Sequence, residues 1–365
     1  MRYLDANASE PLRPEARAAV LTALDVVGNP SSVHAGGRAA RRLLEEAREA
    51  LACRFGARPE NLVFTSGGTE ADASAIHALG VGRRFVISAT EHDAVRSAAP
   101  GAVILPVDAN GVADLDALGE LLADQVPTLV CLMLANNETG TIQPVAAASA
   151  LCRRHSALLH VDAVQAAGRM EVGLPTLGAH SMAISSHKLG GPSGAGALLL
   201  APEVTSIAPL IAGGGQERGR RGGTPPLPAI AGFAAAASNA GDTEQLVIMR
   251  DAIEAAAIAE GAVVCGGGAA RLANTTCIAL PGVRADAQVI ALDLEGFAVS
   301  AGAACSSGKV TASHVLAAMG LGALAGQAIR VSLPWNADQD HVSAFGDAYR
   351  RMAARLREAL VSRAA

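Results

Sequence analysis

Thr128-Leu129-Val130-Cys131-Leu132-Met133-Leu134-Ala135 is an unbroken apolar run. A strand with one wet face alternates apolar and polar residues, so a run without alternation fits a parallel strand covered on both faces. Outward from it the pattern changes period. Asp114 to Asp124 before it and Pro144 to His155 after it read as helices. Beyond these lie the short strands Arg84 to Ser88, Ala102 to Val107 and Ala157 to Val161, the last ending at Asp162. Alternating strand and helix argues for a mostly parallel sheet with helices on both faces. The same alternation reaches back through Asn61 to Thr65, and helices at Pro14 to Leu24 and Gly37 to Arg54. It runs forward to strands at Met182 to Ser185 and Ala195 to Ala201. A Gly/Pro/Arg-rich loop (207–228) and Ala-rich helical sequence to about Glu260 follow. A smaller α/β unit then reads as strands at Asn274 to Leu280, Ala298 to Ser300 and Ala328 to Leu333, with helices at Asp286 to Glu295, Thr311 to Met319 and Asp338 to Val361. A large domain over 14–245 and a small one from 1–13 with 246–365 are expected.

Composition narrows the class. The chain has 365 residues, half of them hydrophobic but only 2% aromatic, so its core must be built from Leu, Val, Ile and Ala. A net charge of −5 without basic blocks gives no nucleic-acid surface. No apolar run reaches the ~18 residues of a membrane span, and the N-terminus lacks a signal-peptide core. A cytoplasmic protein with reduced thiols is expected. The six cysteines form no CxxC and no zinc spacing, and no metal is expected. Five of them are expected in the core. Cys305 differs, set among small residues in Ser300-Ala-Gly-Ala-Ala-Cys305-Ser-Ser-Gly-Lys309.

Only two of the 29 basic residues are lysines, Lys188 and Lys309. Where positive charge suffices this composition supplies arginine. A lysine kept against that bias points to chemistry that needs an amine able to deprotonate and condense with a carbonyl. Lys188 lies in Ser185-Ser186-His187-Lys188-Leu189-Gly190-Gly191-Pro192, a loop composition suited to closing round a ligand. Thr69, His92, Asn137, Asp162 and Lys188 all follow strands, so they are expected to converge on one edge of the sheet, where such folds bind ligands. A Schiff-base lysine serves carbonyl chemistry or pyridoxal phosphate. The latter needs a carboxylate at its ring nitrogen, for which Asp162 is suited, against the common role of a helix-capping Asp. Its phosphate needs a helix N-terminus, which Ser66-Gly67-Gly68-Thr69 provides, although many such turns are only caps. His92 is placed to cover the ring, although a histidine after a strand is more often structural. SGGTEAD does not fit the GxGxxG of a nicotinamide site.

The ordered set YLDANASEP, GNPSSVH, VFTSGGTEAD, EHDAV, ANNETG, HVDAVQAAG, SSHKLGGPSGAGAL, GGGQERGRRGGTPP, SAGAACSSG and IRVSL spans nearly the whole chain. It resembles the cysteine desulfurases, relatives of the class V aminotransferases with the fold-type-I pyridoxal phosphate architecture. The resemblance implies that Lys188 carries pyridoxal phosphate and moves protons. It implies that Asp162 faces the ring nitrogen, Gln165 the phenolic oxygen, and His92 the ring. Gly68, Thr69, Ser185 and His187 match phosphate-binding positions. Thr224 matches a phosphate ligand that comes from the other subunit of a homodimer. Asn137 and Arg330 match the contacts to the substrate carboxylate. Cys305 matches the nucleophile that takes sulfur from L-cysteine as a persulfide, releasing L-alanine and passing sulfur to an acceptor protein. Iron–sulfur cluster assembly, tRNA or DNA thiolation and a biosynthetic route are all open. Housekeeping members carry a C-terminal extension that meets a scaffold protein; this sequence stops soon after its last helix, so a dedicated acceptor is equally expected. Ser9-Glu10 departs from the family's Thr-Thr-Pro-like ending beside the substrate entrance. A selenocysteine lyase, an aminotransferase and a non-catalytic paralogue are the alternatives.

Overall fold

The computed structural model describes residues 1–241, 243–302 and 312–364, the last six by backbone alone. Seven strands form the large sheet: β1 (Leu62–Thr65), β2 (Arg84–Ser88), β3 (Val103–Leu105), β4 (Thr128–Cys131), β5 (Leu158–Asp162), β6 (Ser181–Ser185) and β7 (Gly196–Leu200). Their spatial order is β1-β7-β6-β5-β4-β2-β3, and β7 alone runs antiparallel to its neighbours. The two-residue period of the strands sorts their side chains between two cores. Val130, Leu159, Val161, Met182 and Ile184 join one cluster, while Leu129, Cys131, Ala183 and Leu198 join the other. Helix α1 (Gly68–Leu79) covers the second face through Ala71, Ala75 and Ile76.

Strand β4 is half as long as the apolar run suggests. Past Cys131 the N–H of Met133 donates to the Glu91 carboxylate at 2.6 Å, because β2 has already ended at Ser88. Leu132 and Leu134 still donate to the β5 carbonyls of His160 and Asp162. The chain therefore leaves the sheet gradually and delivers Asn137 beyond its edge.

A second, antiparallel sheet has the order Ser300–Ala301, Ala328–Ser332, Thr275–Ala279, Val263–Val264. Phe297, Phe345 and Tyr349 pack on one face, with the Phe297 and Phe345 rings edge to face at 5.6 Å. The N-terminus joins this unit: Arg2–Tyr3 pairs in parallel with Phe297–Ala298, and Asp5 bridges to Ser332. The sequence reading missed that two-residue strand and drew a single strand over Ala298 to Ser300. It also expected Cys53 in the core. Cys53 is exposed, because the helix Ala35–Arg54 buries the Leu44, Ala47 and Leu51 face and turns Cys53 away from it. Cys131, Cys152, Cys265 and Cys277 are buried as expected.

Candidate active site

A cavity of about 300 Å³ opens at the carboxyl end of the large sheet. Strand ends converge on it because parallel strands all release their chains on the same side. Gly68, Thr69, His92, Asn137, Asp162, Gln165, Ser185, His187 and Lys188 line it, joined by Ala8, Asp72, Met133 and Val164. Thus nine of the twelve residues proposed from sequence share one cavity. Arg330 lies behind the wall, Thr224 is exposed on a loop that does not line this cavity, and Cys305 falls outside the described residues, as does Lys309.

Lys188 closes a short 3₁₀ turn, Ser186–Lys188, directly after β6. Its ammonium donates to the backbone carbonyls of Asn7 and Ala8 at 2.5 and 3.0 Å. The N-terminal segment therefore crosses the cavity mouth and meets the lysine. On one side of Lys188 stands the N-terminus of α1, where Gly68 is required: a Cβ there would stand 2.6 Å from Val164. Beside it the Ser185 hydroxyl is buried with no partner. Helix N–H groups, a hydroxyl lacking an acceptor and the small residues between them form a receptor for an anion. His187 is held neutral, its pKa down to about 4, by burial and then by the charges of Lys188 and Arg169. A neutral ring keeps one N–H and one lone pair, so it can donate to an anion without carrying charge.

At the opposite end Asp162 accepts from the N–H of Val164 at 2.8 Å. Burial raises its pKa to about 7, with Asp72 the next cause. A carboxyl held that high is poised to ionise fully once a cation faces it. His92 lines the cavity and caps the helix Asp93–Ala98, its Nδ1 accepting from Ala94 N–H at 3.1 Å. Asp72 was missed by sequence reading, although it follows Thr69 by three residues and so shares its helix face. It contacts His160 Nε2 at 3.1 Å, and His160 Nδ1 contacts Ser181 at 2.8 Å. Burial pushes Asp72 up to about 8 and His160 down to about 4.

The raised Asp162 pKa sets the sign of a stability effect. Between its ordinary value near 4 and about 7 the folded chain keeps a proton that the unfolded chain sheds. Stability in the cofactor-free protein therefore falls as pH rises through that window. Asp162→Asn removes the cost. The variant is expected to gain on wild type between pH 4.5 and pH 8, by on the order of a few kcal/mol, read from denaturant midpoints. An equal difference at both pH values would contradict this.

Arg330 is 3% exposed. It donates to Asp5 at 2.7 Å and to the Asn137 carbonyl at 3.0 Å, and its Nε has no partner. Asp5 also accepts from Ser300 at 2.8 Å. A partnerless guanidinium N–H behind Asn137 is an unspent donor for a carboxylate. Glu138, next in the chain, takes the Ser313 hydroxyl at 2.6 Å, and a Cβ at Gly302 would collide with the same carboxylate. The described residues on the two sides of 303–311 therefore meet at Glu138. Among the described residues no group of His, Cys, Asp and Glu is placed to hold a metal, and no helix is long and apolar enough to cross a membrane.

Residues 2–345 match the family model for the class-V aminotransferases. The chain is 38% identical to an IscS-like cysteine desulfurase of Mycobacterium tuberculosis, over all of this chain and 99% of that protein. It is 42% identical to a cysteine desulfurase of Cereibacter sphaeroides, over 87% and 86% of the two chains. The solved NifS-like protein from Rickettsia africae shares the fold at a TM-score of 0.90 and 33% identity, covering 96% of this chain and 99% of its own. With lysine, aspartate and helix N-terminus gathered at one sheet edge, and likeness running the full length of the sequence, the chain belongs to the class-V aminotransferase family and, within it, to the cysteine desulfurases.

Proposed function

We propose that the chain removes sulfur from L-cysteine, using pyridoxal phosphate at Lys188, and loads it onto Cys305 for delivery to an acceptor protein. The observation that carries this is the arrangement of one cavity. An amine, a buried carboxyl and a helix N-terminus with an unpartnered hydroxyl surround it. Those three features fit the cofactor's aldehyde, ring nitrogen and phosphate. Gly68, Thr69, Ser185 and His187 would hold the phosphate, Asp162 the ring nitrogen, Gln165 the phenolic oxygen and His92 the ring face. When bound, the cofactor supplies an electron sink that makes the substrate's α-proton acidic.

The chain's own residues do the rest. Arg330 and Asn137 orient the substrate carboxylate. Lys188 takes the α-proton through Nζ and returns a proton to the carbon skeleton. Asp162 stays ionised opposite the ring nitrogen. The Cys305 thiolate attacks the substrate sulfur: an S–S bond forms, the Cβ–S bond breaks, and Cβ receives a proton. Cys305 thiol and L-cysteine become Cys305 persulfide and L-alanine, so the balance requires no outside oxidant or reductant.

A second copy of the chain is proposed to complete the phosphate site with its Thr224, which is exposed here. Four buried, unpaired thiols support a reducing, cytoplasmic setting. The test is stoichiometry. Purified protein given L-cysteine and a thiol reductant should release alanine and sulfide in equal amounts. Release of pyruvate, or transamination without sulfide, would support another class V reaction instead.

A further inference from the structure

Glu10 is 7% exposed, and its partner Arg169 is buried beside it, outside the cavity lining. Glu10 Oε2 pairs with Arg169 at 3.1 Å, both side chains being almost fully buried. Arg169 also donates to the Gln165 side-chain oxygen at 2.5 Å, to the Gln165 carbonyl at 3.1 Å and to the Ala6 carbonyl at 3.0 Å. The two ends of an amide are nearly the same size, but a guanidinium can only donate. Arg169 therefore holds the oxygen end of Gln165. The nitrogen end is left to donate to the Asn7 carbonyl at 3.1 Å and to face the cavity. The Asn7 carbonyl is also the one that Lys188 contacts. Glu10 completes the frame, accepting from the Trp335 N–H at 2.7 Å while its own N–H donates to the His187 carbonyl.

We infer that Arg169, neutralised by Glu10, is a positioning residue: it fixes the Gln165 amide with its N–H end toward the cofactor and holds segment 6–10 against Lys188. Arg169 itself does not line the cavity and acts through Gln165. The inference rests on the proposed cofactor site and adds to it the device that sets one donor's direction. An arginine alone at this depth would leave an uncompensated buried charge, which is why a glutamate occupies position 10.

The test is titration of cofactor-free protein with pyridoxal phosphate, reading the visible absorption band and the dissociation constant. The variants are R169M, Q165L, R169M/Q165L and the charge-balanced E10Q/R169M, each with its thermal midpoint. R169M is expected to weaken binding about five- to tenfold, the scale of one net hydrogen bond, and to move the band in the direction that Q165L does. On the Q165L background R169M should add nothing, since coupled residues are non-additive. E10Q/R169M should keep a midpoint near wild type while retaining the band shift. Three results would overturn the inference: a wild-type band and affinity in R169M, effects of R169M and Q165L that add, or a charge-balanced variant in which the band returns to normal. If wild-type protein takes up no cofactor, the proposed function falls and the inference with it. Failure confined to the variants overturns the inference alone.

Discussion

Lys188→Arg is expected to lower alanine formation from L-cysteine by on the order of a thousandfold or more, with little loss of fold stability. The two parts of that expectation have separate causes. Stability is expected to persist because Lys188 donates to the carbonyls of Asn7 and Ala8, and a guanidinium has donors enough for both. Turnover is lost because a guanidinium stays protonated at any working pH. It can neither condense with an aldehyde nor take a proton from carbon. Thermal midpoints alongside single-turnover alanine assays check both parts. A variant that folds and still turns over would remove Lys188 from the chemistry.

Cys305→Ala is expected to abolish sulfide and alanine release from L-cysteine to a similar degree, on the order of a thousandfold, while the cofactor's visible band stays unchanged. The residues of this chain proposed to hold the cofactor, Thr224 aside, line the large-sheet cavity, whereas Cys305 follows the small-sheet strand Ser300–Ala301 in sequence. On the proposed reading the two functions fall to separate parts of the chain. The variant also separates the alternatives. A transaminase has no need of a thiol at 305, and a selenocysteine-specific lyase need not use one. Unchanged activity toward L-cysteine would therefore count against the persulfide route.

The parallel sheet was legible from sequence because its signal is local: β4, β5 and β6 are short, largely apolar segments buried almost throughout, and each signal lies within one strand. The cavity lining was legible for the same reason. Asp162 ends its strand and Thr69, His92, Asn137 and Lys188 follow theirs, and a parallel sheet sends those ends to one side. What stayed hidden joins residues far apart in sequence. Asp5 reaches Arg330 across 325 positions and Glu10 reaches Arg169 across 159. Nothing in either local pattern announces its partner. Cys53 was misplaced because helical periodicity in an Arg/Glu-rich run is weak evidence for the phase of a single residue near the helix end. The shortness of β4 depended on Glu91, a side chain 42 positions away that takes the N–H of Met133.

The most direct measurement uses the scarcity of lysine. Holoenzyme is reduced with borohydride, digested, and the modified lysine identified by mass spectrometry. With only Lys188 and Lys309 available, the assignment has two outcomes besides none. The account predicts one phosphopyridoxyl group per chain, on Lys188, with loss of the visible band. Modification on Lys309, or no modification of a protein that is active on L-cysteine, would contradict it.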